Sequence, residues 1–135
     1  MPGGTDGLTA PTAVAVAPGG QGLAVTSPPD GLVEAFDLDG GSAQTVLKPA
    51  PGASTKGSPY GIAISPSGAL IYTDIGLTGG PGGVLTPGDR TGGLLLLDPS
   101  SAAGSPPTVI DHGLAAPDGL GLYQPGGGGG AASKV

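Results

Sequence analysis

Apolar residues in this chain occur in short runs that turn-forming residues interrupt. Ala13–Val16 is followed by Pro18-Gly19-Gly20, and Ile62–Ile64 is followed by Pro66-Ser67-Gly68. Gly, Pro, Asp and Ser bound most of the other runs as well. No stretch has the 3.6-residue period of an amphipathic helix. The pattern therefore predicts an all-β protein made of short strands and tight turns.

The strands belong to an internal repeat. Segment 58–74 has a weaker copy 48 positions upstream, and a third start, 116–123, lies 58 positions beyond the second. The matching pairs are Pro11 with Pro59, Pro18 with Pro66 and Gly20 with Gly68. Self-similarity at this spacing, built from strands and turns, is typical of a β-propeller. It predicts blades that are four-stranded antiparallel meanders.

The repeat predicts two complete blades and the start of another. The blades are expected at 11–57 and 58–115, and the first strand of a further blade at 116–125. Segment 76–91, rich in Gly, is an insertion between the second and third strands of the second blade and is predicted to be a long irregular loop. Residues 1–10 and the Gly-rich tail 126–135 are expected to be flexible.

Composition and charge narrow the class of function. The chain has 135 residues with 30 Gly, 16 Pro and no Cys, and its net charge is −6 with only four Lys and Arg. Four scattered cations cannot form a basic face for phosphates, so no nucleic-acid partner is expected. No run approaches the roughly 20 apolar residues of a membrane span, and the N-terminus has no signal-peptide pattern. A soluble protein of unknown compartment is predicted.

The second unit resembles a known family. The run from Pro59 through Gly68, the strand ending in Thr73-Asp74, and Pro117-Asp118-Gly119 follow in the order seen in the senescence marker protein/gluconolactonase/regucalcin family. The resemblance is best over 58–123, and 11–48 matches as a generic blade. It implies a six-bladed propeller that carries a divalent cation, usually calcium, on its axis and hydrolyses lactones or related esters.

The resemblance also implies roles for particular residues. Asp118 matches the family's metal-binding aspartate, so it is the candidate metal ligand and catalytic residue. Tyr60 stands where the family has a metal-binding asparagine, and Glu34 does not match the family's N-terminal glutamate ligand. Thr12, Tyr60 and Asp74 are the candidate substrate-binding residues. For Asp118 the alternative is a turn role, since Asp-Gly is a common turn dipeptide. For Asp74, at the end of a second strand, the alternative to substrate contact is capping of the turn.

Propeller geometry gives a reason to group these residues. The first strand of each blade lines the central channel. Thr12, Tyr60 and Asp118 occupy the same position at the head of three successive first strands, so they are predicted to converge at the channel mouth. This trio offers one carboxylate, one alcohol and one phenol, whereas calcium prefers six to eight oxygens.

Two functions from different classes remain open at this point. One is a metal-dependent lactone or ester hydrolase, and the other is a non-catalytic binding or structural module that has lost the metal site. Two blades leave both flanking faces bare. The chain is therefore expected to be a fragment of a longer propeller, to close a ring with copies of itself, or to be a degenerate relative.

Overall fold

The computed structural model describes residues 8–38, 43–48, 57–98 and 105–123. The protein is all-β, with four-stranded antiparallel sheets, as the sequence predicts. The first sheet is a meander whose strands lie in chain order. Its strands are β1 (Ala13–Val16), β2 (Gly22–Ser27), β3 (Leu32–Asp37) and β4 (Ala43–Leu47). A 3₁₀ turn, Pro28–Asp30, joins β2 to β3.

The second sheet repeats the meander with one insertion. Its strands are β5 (Pro59–Ile64), β6 (Leu70–Asp74), β9 (Gly92–Leu97) and β10 (Thr108–Leu114), with β5 and β10 at the edges. The two sheets fall within the predicted segments 11–57 and 58–115. Residues 1–7 and 126–135, which were expected to be flexible, lie outside the described residues.

The insertion differs from the prediction for 76–91. It is not irregular throughout, because it contains a hairpin formed by β7 (Leu77–Gly79) and β8 (Leu85–Pro87), in which Thr78 pairs with Thr86. A 3₁₀ turn, Pro81–Gly83, connects the two strands. Strands of three residues among glycines are too short to produce a period-2 signal in the sequence.

Matching turns connect the first two strands of each sheet. The N–H of Gly20 donates to the carbonyl of Ala17 at 3.0 Å, and the N–H of Gly68 donates to the carbonyl of Ser65 at 2.9 Å. Gly20 has a φ of 71° and Gly68 a φ of 90°. A positive φ strains a residue with a Cβ, which explains why glycine occupies this position in both copies.

The core lies between the two sheets, where β1 and β2 contact β5. The buried side chains of this core are Ala24, Val33, Val46 and Leu47 from the first sheet and Ile62, Leu70, Tyr72 and Leu97 from the second. Because side chains alternate between the faces of a strand, each sheet uses one face for this contact.

The chain beyond β10 does not form the predicted strand. Residues 116–123 have no strand conformation, and residues 124 and 125 of the predicted strand 116–125 lie outside the described residues. A strand needs a hydrogen-bonded neighbour, and within the described ranges none pairs with this segment. Among all the residues that the structure describes, no helix has the length and hydrophobicity needed to cross a bilayer.

Candidate functional site

A threonine side chain joins the N-terminal ends, or heads, of the first strands of the two sheets. Thr26 lies near the end of β2 and is fully buried. Its hydroxyl accepts a hydrogen bond from the N–H of Ala13 at 3.2 Å and donates one to the carbonyl of Tyr60 at 2.7 Å. The hydroxyl thus links the first strand of its own sheet to the first strand of the next. We call this arrangement a threonine bridge.

The second sheet has the same bridge. Thr73 lies at the corresponding place in β6, and its hydroxyl accepts from the N–H of Gly61 at 2.9 Å. It donates to the carbonyl of Asp118 at 2.8 Å. Thr26 pairs with Val33, and Thr73 pairs with Leu94, so the two threonines occupy equivalent register positions. The relation between the first sheet and Tyr60 is therefore repeated between the second sheet and Asp118.

The bridges attach two of the predicted site residues to the preceding sheet by their backbones. The carbonyl of Tyr60 is bound by Thr26 of the first sheet, and the carbonyl of Asp118 is bound by Thr73 of the second sheet. The hydroxyl of Thr12 is used locally, since it donates to the carbonyl of Ala10 at 3.0 Å. Among the described residues no hydrogen bond joins the side chains of Thr12, Tyr60 and Asp118. The carbonyls of Tyr60 and Asp118, rather than their side chains, accept the hydrogen bonds between units.

Two buried glycines allow Pro117 and Asp118 to approach the second sheet. A Cβ on Gly61 would collide with the carbonyl oxygen of Asp118, and a Cβ on Gly92 would collide with the ring of Pro117. No other residue type permits such close approach of the backbone. The Asp118 side chain itself is exposed. The Pro-Asp-Gly segment is thus held by its backbone while the carboxylate faces solvent.

Asp74 closes the loops at the same end of the second sheet. One oxygen of its carboxylate accepts from the N–H of Ser58 at 3.0 Å, and the other accepts from the N–H of Gly76 at 2.7 Å. The first sheet has a related contact, because the hydroxyl of Ser27 accepts from the N–H of Ala10 at 3.2 Å. Asp74, predicted to bind substrate, therefore has both carboxylate oxygens engaged by the backbone, which is a structural role.

The predicted trio does not fit a calcium ion. Calcium binds six to eight oxygens and favours several carboxylates. The trio supplies one carboxylate, from Asp118, and the described part of the chain contains no group of three His, Cys, Asp or Glu residues placed to hold a metal. Glu34 lies on β3 as a buried side chain that accepts from the hydroxyl of Thr45 at 3.2 Å.

An open apolar concavity of about 410 Å³ lies at the other end of the first strands. Its walls are formed by Val16, Pro18, Ile64, Pro66 and Leu122. Val16 and Ile64 are 48 positions apart, and Ile64 and Leu122 are 58 apart, the same spacings that relate the strand heads. Sequence reasoning did not identify this concavity or the threonine bridges. The signal was present in those spacings and in a threonine near the end of each apolar second strand.

Among the described residues, Tyr72 has a phenol whose pKa lies clearly away from its ordinary value. It is 3% exposed and lies in the core between the sheets. Burial raises the pKa of its phenol well above the usual value, and the nearby carboxylate of Asp74 raises this pKa further. Both effects disfavour the phenolate. Tyr72 is therefore a neutral core residue at neutral pH.

No protein-family model matches the chain, and no curated protein matches it. The resemblance to the gluconolactonase-like family therefore rests on the residue pattern of 58–123 and, more generally, on that of 11–48. What this resemblance implies for activity and cofactor remains a proposal.

Proposed function

We propose that the chain is a β-propeller segment that serves as a non-catalytic binding or structural module. In this proposal the first and second sheets are successive blades, and residues 116–123 occupy the inner-strand position of a further blade. The observation that carries it is the repeated threonine bridge, from Thr26 to Tyr60 and from Thr73 to Asp118. A propeller requires that each unit contact the next in the same way, and two equivalent bridges satisfy this requirement.

The pattern of burial supports the same stacking. Ile62 in β5 is 7% exposed because it packs against the first sheet, whereas Val14, at the equivalent position in β1, is 59% exposed. The inner strand of each unit thus presents an apolar side chain toward the unit before it. For β1 the described residues supply no such unit.

A non-catalytic role follows from how the polar groups at the strand heads are used. The threonine hydroxyls and the carbonyls of Tyr60 and Asp118 are already hydrogen-bonded to each other in the bridges. The carboxylate of Asp74 accepts from two backbone N–H groups. The described residues that line the concavity at the opposite end have apolar side chains. These surfaces suit packing and apolar contact with a partner better than acid–base chemistry.

Lactone or ester hydrolysis is the second candidate, and one observation favours it. The carboxylate of Asp118 is exposed on a segment that the buried Gly61 and Gly92 hold close to the sheet. A carboxylate in this position can act as a general base that removes a proton from an attacking water. The family's pattern at Pro117-Asp118-Gly119 implies the same residue.

A hydrolysis assay distinguishes the two functions. Purified protein is given a simple sugar lactone and an aryl ester, with and without calcium or manganese, alongside calorimetric titration with each metal. The module proposal predicts no turnover above background and no heat of binding for either metal. Turnover by the wild type that Asp118→Asn abolishes and Asp111→Asn retains would overturn it in favour of hydrolysis. Asp111 is a suitable control because it is also exposed, on β10.

A further inference from the structure

This chain has three equivalent inner segments, at residues 12–16, 60–64 and 118–122, but only two equivalent surfaces that can bind them among the described residues. Each inner segment presents two apolar side chains, two residues apart, and a carbonyl at its head; we call this an apolar strip. Each binding surface consists of two small residues of an inner strand and the threonine of the adjacent strand; we call this a threonine cradle. The strips are Thr12/Val14/Val16, Tyr60/Ile62/Ile64 and Asp118/Leu120/Leu122. The cradles are Ala13/Ala15/Thr26 and Gly61/Ala63/Thr73.

The first cradle is filled by the second strip. Ile62 and Ile64 belong to the core that also contains Ala13 and Ala15, and Thr26 binds the carbonyl at the head of the strip. Alternation along a strand places Ile62 and Ile64 on one face of β5 and Gly61 and Ala63 on the other. The second cradle therefore faces away from the first sheet.

The second cradle is filled by the third strip in a less regular way. Thr73 binds the carbonyl of Asp118, but residues 116–123 form no strand. Ala116 has a φ of 45°, a left-handed conformation that is strained for a residue with a Cβ. Gly119 and Gly121 lie within the strip, and Leu122 remains 38% exposed. Glycine in an extended segment costs conformational entropy.

The first strip is complete, and the described residues leave it uncovered. β1 is a regular strand paired with β2 along its length. Val14 and Val16 are 59% and 60% exposed, although Ile62 at the equivalent position of the second strip is 7% exposed. Exposed apolar side chains on a preformed strand favour association with a complementary surface. In the contact between the two sheets, the surface that covers the equivalent second strip is a threonine cradle.

We propose that the first strip of one copy of this chain binds the second cradle of another copy and displaces residues 118–122 from it. The hydroxyl of Thr73 in one copy then donates to the carbonyl of Thr12 in the other, and Val14 and Val16 pack on Ala63 and Gly61. The contact is head-to-tail, so successive copies close a ring or extend as a chain, depending on the rotation between them. This inference rests on the stacking of blades in the proposed function.

Solution mass of the full chain across a range of concentrations tests the proposal. The wild type is expected to rise above the monomer mass of 12.5 kDa as concentration increases. The full-length Leu120→Asp/Leu122→Asp variant weakens the competing third strip, so it should associate at lower concentration than the wild type. Val14→Asp/Val16→Asp should be monomeric. Val109→Asp, a matched control on the outer strand β10, should associate like the wild type because Val109 is 56% exposed outside the strip.

Mixing two variants tests the head-to-tail geometry. Val14→Asp/Val16→Asp retains the second cradle, and Ala63→Arg retains the first strip. Each should be monomeric alone, and the mixture should form a complex of twice the monomer mass. A wild type and a Leu120→Asp/Leu122→Asp variant that are both folded by circular dichroism and both monomeric at every concentration would overturn the proposal. So would a mixture that stays monomeric.

The outcomes separate this inference from the proposed function. If the chain is monomeric but nuclear Overhauser contacts join Thr26 to Tyr60 and Thr73 to Asp118, blade stacking stands and only the exchange between copies is wrong. If the chain is monomeric and those contacts are absent, the stacking itself is wrong.

Discussion

The hydroxyl of Thr73 donates a 2.8 Å hydrogen bond to the carbonyl of Asp118, a residue 45 positions further along the chain. Thr26 makes the equivalent bond to Tyr60 at 2.7 Å. A buried threonine near the end of an apolar strand is therefore the element that repeats between units. It connects the second strand of one unit to the head of the next unit's inner segment, and it holds the candidate site residues by their backbones.

Removal of the Thr26 hydroxyl should destabilise the protein. Thr26→Val keeps the shape of the side chain but leaves the N–H of Ala13 and the carbonyl of Tyr60 without their partner. A buried polar group left unpaired costs about 1–3 kcal/mol. Urea unfolding should show a loss of this size for Thr26→Val and a smaller one for Thr26→Ser, which keeps the hydroxyl. Equal stability of the two variants would contradict a role for the bridge.

A methyl group at Gly61 should detach the segment around Asp118. The Cβ of Gly61→Ala would collide with the carbonyl oxygen of Asp118, and overpacking of this kind costs about 1–3 kcal/mol. Residues 118–122 belong to neither sheet, so this segment should move while the sheets remain intact. Hydrogen exchange should become faster at residues 118–122 and stay unchanged in β2 and β3.

Gly119→Ala is the matched control for that experiment. No atom lies within 4 Å of a Cβ built on Gly119, and its φ is not positive. Exchange at 118–122 should therefore be unchanged or slower, because alanine reduces the freedom of the unfolded chain. Faster exchange in both variants would mean that the close approach at Gly61 is not what holds the segment.

Loss of the Asp74 carboxylate should affect stability rather than ligand binding. Asp74→Ala leaves the N–H groups of Ser58 and Gly76 without their acceptor. Hydrogen bonds to a charged group contribute roughly 1.5–3 kcal/mol each at most, so chemical denaturation should show a clear loss. Asp89→Ala, at an exposed position of the insertion, should change little. A stable Asp74→Ala protein that fails to bind a ligand would restore the substrate-binding role predicted from sequence.

Stability should fall at alkaline pH because of Tyr72. Burial, aided by the Asp74 carboxylate, raises the pKa of this phenol in the folded state above its ordinary value of 10.0. Above pH 10 the unfolded chain releases the proton while the folded protein retains it, so the unfolded state is favoured as pH rises. The contribution is fully present below pH 10 and is lost as the pH climbs toward the folded-state pKa.

Two substitutions test whether Tyr72 causes the loss of stability at alkaline pH. Tyr72→Phe should flatten the dependence of the unfolding free energy on pH above 10, as measured by denaturant titrations at several pH values. Tyr123→Phe should retain the decline, because it leaves Tyr72 intact and Tyr123 is 74% exposed. A decline that survives Tyr72→Phe unchanged would assign it to other groups.

The sequence predicted the strands and turns because each has a local signature. Gly20 and Gly68 mark turns that need a positive φ, and alternation around Ile62 and Ile64 marks a strand. The insertion at 76–91 was misread because β7 and β8 are too short to show alternation. The irregular conformation of 116–123 was missed because its residue pattern is that of a strand, whereas among the described residues no strand pairs with it.

The candidate site was less predictable than the fold. Repeat spacing relates Thr12, Tyr60 and Asp118, but it does not reveal that Tyr60 and Asp118 are contacted through their carbonyls. Thr26 and Thr73 are separated from those partners by 34 and 45 residues, so no local pattern indicates the contact. For Asp74 the sequence left both turn capping and substrate contact open, and the N–H groups of Ser58 and Gly76 that its carboxylate binds show the capping.

The most direct test of the repeated bridge is a set of nuclear Overhauser contacts in solution. The account predicts contacts from the side chain of Thr26 to Tyr60 and Gly61, and equivalent contacts from Thr73 to Asp118 and Gly119. Contacts at both places would confirm that successive units are joined in the same way. In a folded, monomeric sample at low protein concentration, absence of both sets, or contacts at Thr26 with residues 118–119 free in solution, would contradict the claim that the chain repeats one unit-to-unit interface.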